Sequence, residues 1–398
     1  MEHGQQYWES TWREYIFSHK PGLKAYGVRA LLRIASWPYG WTMQIRNWLY
    51  DHRWFPIHAA AVPVVSVGNL SMGGTGKTPC IEYIARYYRQ RDIRVTILSR
   101  GYGSQGARND EALVLEENLP DVPHLQNADR VAAAECAVQE LDSQLLLLDD
   151  GFQHRRLHRD LDIVLIDATR PPTEDALFPR GTLREPLSAL SRADHLILTR
   201  TDQASPMIMD NLCRTLARRF PRLPVAQAIH QPKSLICGDE VVPPQALEQR
   251  TIAAFCGLGQ PQAFRRTLEQ LGARLLDFRT YPDHHPYTRA DVEGLHRWAA
   301  ATPPGTWIVT TRKDWVKLRL DNLGGRSLWT LTVTWVLSEG VDAFHSALDG
   351  VAELILEGST PDPISEEICG LDTPISRPVA AYRDDPQNSA RQGCNPST

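Results

Sequence analysis

No cysteine of this chain sits in a CxxC pair, and the apolar run near its N-terminus falls short of a bilayer span. The seven cysteines (Cys80, Cys136, Cys213, Cys237, Cys256, Cys369 and Cys394) are scattered and odd in number. That argues against a disulfide framework and against a zinc site, and it fits a reducing compartment. The segment GVRALLRIASWPYGWTMQIRNWLY holds only twelve uncharged residues between Arg33 and Arg46, where a spanning helix needs about 20. The opening MEHGQQYWES has neither a basic start nor an apolar core, so no signal peptide is expected and the chain reads as cytosolic. Strong charge is missing as well. A net −4 over 398 residues exerts no global pull on nucleic acid or anionic surfaces, so any basic site must be local and no nucleic-acid partner is expected. From Gly358 onward there is no Trp or Phe but six prolines; residues 358–398 bury too little to offset their chain entropy and read as a disordered tail. No internal repeat and no obligate protein partner are evident.

What is present is unevenly placed. The first 60 residues hold six of the eleven tryptophans (Trp8, Trp12, Trp37, Trp41, Trp48, Trp54) and seven Lys/Arg against four acids, a local +3. Tryptophan with arginine suits a helix lying in the headgroup region of a membrane surface; an amphipathic helix packed on its own domain is the alternative. Further on, VVSV (64–67), VTILS (95–99), LLLL (145–148), DIVLID (162–167) and HLILT (195–199) read as buried strands between helical patterns at 78–90 and 128–142. Strands apolar throughout, alternating with helices, predict an α/β fold: a parallel sheet with helices on both faces. A second α/β pattern follows residue 225, with strand and helix in TIAAFCGLGQPQAFRRTLEQLG (251–272) and a strand at WIVTT (307–311). The expected division is therefore 1–60, 61–225, 226–357 and the tail.

The stretch SVGNLSMGGTGKTP (66–79) carries the chemistry. Gly73, Gly74, Thr75 and Gly76 can curl so that successive N–H groups face phosphate oxygens. Lys77 would reach the β and γ phosphates, Thr78 would ligate Mg²⁺, and the following helix points its N-terminus at the same charge. Ser71 stands where GxxxxGK[ST] has its first glycine. In LLLLDDGFQH, Asp149 and Asp150 end a leucine strand, where one would hold Mg²⁺ and the other help position it.

In order along the chain, VGNLSMGGTGKTP, RGYG (100–103), DEALVL (110–115), DDGFQHRRLHRDLDIVLID (149–167), RGTLREPLSALSRAD (180–194), FCGLGQPQAF (255–264), YPDHHPYT (281–288) and TRKDWVKL (311–318) together resemble the tetraacyldisaccharide 4′-kinase family of lipid A biosynthesis, over about residues 25–350. The resemblance implies a P-loop α/β domain with a smaller α/β domain beside it and the active site between them. It implies an N-terminal helix docked on the cytoplasmic face of the inner membrane, ATP with Mg²⁺ as cofactors, and γ-phosphoryl transfer to the 4′-hydroxyl of a tetraacylated glucosamine disaccharide 1-phosphate. It further implies Asp110 as base on the sugar hydroxyl, paired with His284, and Glu111 as a substrate contact. A carboxylate oriented by an imidazole can take the proton that the alcohol loses during transfer. His154, Arg155 and Arg156 would contact the substrate's 1-phosphate or the nucleotide, and Arg184 with Glu185 would be substrate or network positions. The sequence departs from the resembled pattern at Asn109, Arg180 and Arg312, the last a reversal of charge.

Two other functions compete. One is a membrane-cycling P-loop ATPase switch that recruits partners, which GGTGKT and the N-terminal segment allow; Met72, in the place of that class's signature lysine, speaks against it. The other is a guanine-nucleotide protein citing TRTDQ (199–203). A requirement for a lipid hydroxyl acceptor separates both from the kinase.

Overall fold

The computed structural model describes residues 23–101, 110–283 and 285–356, with backbone alone for 23–25 and 110–113. The tail expected over 358–398 lies outside the described residues. In chain order, the N-terminal half runs α1 (Leu23–Asp51), β1 (Val64–Asn69), α2 (Lys77–Arg89), β2 (Val95–Ser99), α3 (Asp110–Asn118), β3 (His124–Gln126) and α4 (Arg130–Leu141). It continues through β4 (Leu145–Asp149), β5 (Leu161–Asp167), β6 (His195–Thr199) and α5 (Pro206–Arg219). Then come β7 (Val225–Cys237), β8 (Glu240–Val242), β9 (Thr251–Cys256), α6 (Pro261–Gln270), β10 (Arg274–Thr280) and α7 (Arg289–Ala300). The last elements are β11 (Trp307–Thr311), α8 (Arg312–Leu318), β12 (Asn322–Leu323), β13 (Arg326–Glu339) and α9 (Val341–Leu356).

The strands form one continuous sheet in the order β10-β9-β11-β13-β7-β6-β5-β1-β4-β2-β3, with β12 on β13 and β8 on β7. β1, β2, β4, β5 and β6 are buried along their whole length, as strands covered on both faces must be. Val65, Val67, Ile163, Leu165 and Ile197 pack with α2 and α9 on one face. Alternate residues Val164, Ile166, Leu196 and Leu198 pack with α5 on the other. The far half repeats the arrangement: Ile252, Ala254 and Val309 against α6, Ala253, Phe255 and Ile308 against α7.

One seam breaks the parallel pattern. β7 and β13 pair antiparallel over most of their length, from Gln227↔Glu339 to Ile236↔Thr330. β6 joins β7 near its start (Thr199↔Ala228), and β11 joins β13 near its start (Thr311↔Leu331). The two parallel halves thus meet the ribbon at opposite ends, with the carboxyl ends of their strands pointing toward each other across its middle. Ligands of parallel sheets bind beyond those ends, so this topology turns two such edges onto one cleft.

α1 packs with one stripe. Ser36 donates to the Leu177 carbonyl at 2.9 Å, Tyr39 to the Arg184 carbonyl at 2.8 Å and Asn47 to Glu185 Oε2 at 2.6 Å. Gly40 lets the helix close on Leu177, whose Cδ1 lies 3.0 Å from where a Cβ would stand. Among the described residues no helix is long and apolar enough to cross a membrane.

Candidate active site

β1 delivers the chain into the glycine loop at its carboxyl end, and α2 leaves it. Gly73 and Gly76 take φ of 113° and 91°, the region that favours glycine. Gly76 has a second reason to be glycine: a Cβ there would lie 3.0 Å from His230 Cε1. α4, α5, α7 and α8 have side-chain caps, from Asp129, Ser205, Thr288 and Thr311. α2 begins at Gly76 with none, so its first N–H groups stay available to an anion.

The loop is braced on three sides. Asn69 Nδ2 donates to Thr75 Oγ1 at 3.1 Å, Thr199 Oγ1 to the Thr75 carbonyl at 2.8 Å, and Arg200 Nη1 to the Gly74 carbonyl at 2.9 Å. Arg200 is itself ion-paired with Asp167, which also accepts from Gln260 Nε2. Ser71 forms an antiparallel bridge with Leu183, the Met72 amide donates to the Thr182 carbonyl at 2.8 Å, and the Arg184 amide to the Leu70 carbonyl at 2.7 Å. The first limb of the loop is therefore a short strand pairing without positive φ, which is why serine suffices at position 71.

β4 lies beside β1 with Val67 opposite Asp149, so the acidic pair stands next to the loop. Gly151 makes the close approach possible: a Cβ there would be 2.4 Å from Ser66 Oγ. Lys77 Nζ lies 3.5 Å from Asp150 Oδ1, and Arg184 Nη1 donates to Asp150 Oδ2 at 2.6 Å. Burial raises the Asp150 pKa, but Lys77 and Arg184 outweigh it and hold the carboxyl below its usual range. Asp150 is an anion at neutral pH, held between two cations.

Gly73, Gly74, Thr75, Gly76, Lys77, Thr78, Asp149, Asp150 and Arg184 thus gather at one edge. The basic run at 154–159, expected to contact phosphate, is used otherwise. Arg155 is buried, with Nη2 2.6 Å from Asp51 Oδ1 and Nη1 donating to the Asn47 carbonyl at 2.9 Å; it ties the motif to α1. Arg156 faces Asp129 at 3.4 Å. Burial, with Arg130, Arg156 and Arg159 adding to it, pushes the His154 imidazole down to about 4, so it is neutral at pH 7. Glu185 is fully buried, paired with Arg192 at 3.1 Å and accepting from Asn47; it is a network position joining α1 to the 187–192 turn. The side chains of Asp110 and Glu111 and the whole of His284 lie outside the described residues; Asp110 is the first residue of α3.

The far half reaches the loop through the β9–α6 connection, since a Cβ on Gly259 would lie 3.7 Å from the Gly74 amide and 2.8 Å from Asp283 Oδ2. A cavity of about 910 Å³ opens from Ser71–Thr75 and Gln260, past Asp167 and Arg180, to Arg33, Trp37 and Trp41 of α1. Sequence reasoning missed Asn69, Asp167, Arg200 and Gln260. Asp167 and Asn69 do carry a signal, a polar residue closing a buried strand; Arg200 and Gln260 carry none, because their partners are remote in sequence. Among the described residues no group of three or more His, Cys, Asp or Glu is arranged to hold a metal ion. Mg²⁺ needs no such cage: one or two carboxylates and substrate phosphates suffice, and the hard oxygens of Asp149, Asp150 and Thr78 suit it.

Known proteins resemble this chain over most of its length. A family model described as Tetraacyldisaccharide-1-P 4′-kinase matches residues 28–353. The tetraacyldisaccharide 4′-kinase of Anaeromyxobacter dehalogenans (strain 2CP-C) is 39% identical over 358 residues, 85% of this chain and 93% of its own. That of Syntrophus aciditrophicus is 38% identical, covering 72% and 84%. The crystal structure of LpxK from Aquifex aeolicus in complex with ATP superposes with a TM-score of 0.65 at 32% identity, covering 81% of this chain and 99% of that one. Loop, acidic pair, fold and sequence agree, and the chain belongs to the tetraacyldisaccharide-1-phosphate 4′-kinase family.

Proposed function

We propose that the phosphate loop and the adjoining cavity divide one reaction between them, the loop holding ATP and the cavity the sugar end of a membrane-bound acceptor. The reaction is that of the family: ATP-dependent phosphorylation of the 4′-hydroxyl of a tetraacylated glucosamine disaccharide 1-phosphate in lipid A synthesis. The observation that carries the division is the continuity of the 910 Å³ cavity from Ser71–Thr75 to the exposed aromatic face of α1. A lipid whose acyl chains stay in the bilayer beside α1 can reach the loop through it. The switch alternative is not favoured, because it accounts for neither the family match nor the contact of Gly259 with the loop.

In this reading residues 61–225 carry the nucleotide and residues 226–357 supply the facing loops. Lys77, only loosely paired at 3.5 Å, turns to the β and γ phosphates, and the uncapped N–H groups of α2 take their oxygens. Thr78 and Asp149 would hold Mg²⁺, whose charge would offset that of the transferring phosphoryl, while Arg184 holds Asp150 in place. Asp110 accepts the 4′-hydroxyl proton and His284 orients it. Arg33 and Arg180, which line the cavity, suit the substrate's own phosphate.

α1 also supports the cytoplasmic face of the inner membrane as the location. Ile34, Trp37, Trp41, Ile45 and Trp48 are all exposed and recur at the three- and four-residue steps of one helix face. That stripe lies opposite the packed one (Ser36, Gly40, Asn47), so the helix would dock on the surface and not span it.

The test is transfer of labelled γ-phosphate from ATP to purified disaccharide 1-phosphate in detergent micelles. Lys77→Ala should lose turnover by about 10²–10³-fold, and Asp110→Ala should lose most of it. ATP hydrolysis that is indifferent to the lipid, without labelled lipid, would overturn the reading.

A further inference from the structure

α8 touches both segments on which the proposed base and its imidazole ride. On one side Arg312 Nη2 donates to Glu117 Oε2 at 2.7 Å, and Arg319, just past the helix, donates to Glu117 Oε1 at 3.0 Å. Glu117 lies in the last turn of α3, the helix that starts at Asp110. On the other side Lys313 Nζ donates to Asp283 Oδ1 at 3.1 Å, and Lys317 Nζ to the His285 carbonyl at 3.0 Å. Asp314, fully buried, accepts from the Tyr287 hydroxyl and the Gly257 amide, both at 2.9 Å. Four contacts thus hold the chain on both sides of position 284 and the loop that abuts Gly74.

The Arg312–Glu117 pair is not where helix electrostatics would place it. Arg312 opens α8, at the positive end of its dipole, and Glu117 closes α3, at the negative end. Each charge is unfavourable on its own helix and is offset by the other, with Arg319 adding a second cation on Glu117. Arg312 is also held over the Trp315 ring, 4.6 Å from its centroid, so its direction is set. The pair is half-buried and serves neither helix alone; what it does is join them.

We propose that Arg312 is a positioning residue, whose ion pair with Glu117 sets the distance between the helix beginning at Asp110 and the 281–288 loop, and thereby the turnover rate. The inference rests on the assignment of Asp110 and His284 as base and partner. It explains why this chain tolerates a cation at 312, since an acid there would face Glu117.

The experiment measures kcat and KM for ATP and for the disaccharide 1-phosphate with the full chain in detergent micelles. Arg312→Ala and Glu117→Gln should each lower kcat about 10- to 100-fold, the scale of a small misplacement of reacting groups, with KM for ATP within about twofold of wild type. The reversed pair, Arg312→Glu with Glu117→Arg, made together with Arg319→Ala to remove the cation that would otherwise face position 117, restores the link and also suits both helix dipoles; it should recover most of the lost kcat. Unchanged kcat in both single variants overturns the proposal. So does a loss that the reversed pair fails to recover while thermal unfolding shifts in step, because the pair would then be merely structural. Asp110→Asn runs alongside. If it retains wild-type kcat, the base assignment fails and the positioning role with it; if it is inactive while Arg312→Ala is unaffected, the base stands and only the positioning role falls.

Discussion

Gly151 follows the acidic pair and packs where no other side chain fits. A Cβ there would meet Ser66 Oγ at 2.4 Å and Leu148 Cδ2 at 2.7 Å, both in strands the core holds rigidly. Gly68, on β1, faces the same constraint from Phe152, 2.5 Å from its would-be Cβ. These two glycines let β1 and the DDGFQ turn approach, which places Asp149 and Asp150 beside the phosphate loop. Gly151→Ala should cost about 1–3 kcal/mol through overpacking, read as a lower urea midpoint. It should also lower kcat, because the displaced turn carries Asp150 away from Lys77. The acidic pair and the loop were legible in sequence as chemistry; the brace made by Asn69, Thr199, Arg200 and Asp167 was not, since its members are brought together only when β1, β5 and β6 align.

At the scale of elements, α1 shows two functions on one helix. The stripe through Ser36, Tyr39, Gly40 and Asn47 is docked by hydrogen bonds and close contact. The stripe through Trp37, Trp41 and Trp48 stays 63%, 68% and 47% exposed, which decides that packing on its own domain cannot be the whole purpose of these rings. Trp37→Ser with Trp41→Ser should weaken binding to phospholipid vesicles by about 10-fold or more and leave ATP affinity unchanged, measured by co-sedimentation and by nucleotide titration. Equal binding by the double variant would remove the docking role. The short buried strands were legible: VTILS, HLILT and WIVTT are strands at the expected residues. β7 and β13 were not. β7 contains Pro232, alternates burial irregularly and pairs across a bulge at Thr332/Val333, and its partner lies about a hundred residues away, beyond the reach of any local pattern.

For the whole molecule, four imidazoles set an acid limit. Burial depresses His124, His154 and His195 to about 4 and His230 to about 3, with arginines adding to the effect at His154 and His230. In the unfolded chain each binds a proton near pH 6.5. The stability they contribute is therefore complete above that pH and is lost as pH falls toward 4. His195 is fully buried against Phe344, with neither ring nitrogen hydrogen-bonded; it alone should account for about 1.5 kcal/mol between pH 6.5 and pH 5. His195→Phe should match wild type or exceed it at pH 7 and lose stability less steeply below pH 6.5, by urea melts across pH. A parallel pair of curves would refute the assignment.

Local chemistry already specified the phosphate loop, the carboxylates at a strand end, the α/β alternation and the family resemblance, because each is written in neighbouring residues whose spacing is set by helix and strand geometry. The antiparallel β7/β13 seam, the mutual facing of the two parallel halves, the use of Arg155 and Glu185 as ties to α1, and the pairing of Arg312 with Glu117 were decided by tertiary structure alone. Each depends on which distant segments share a surface once the core has closed, and burial energy summed over the whole chain selects that.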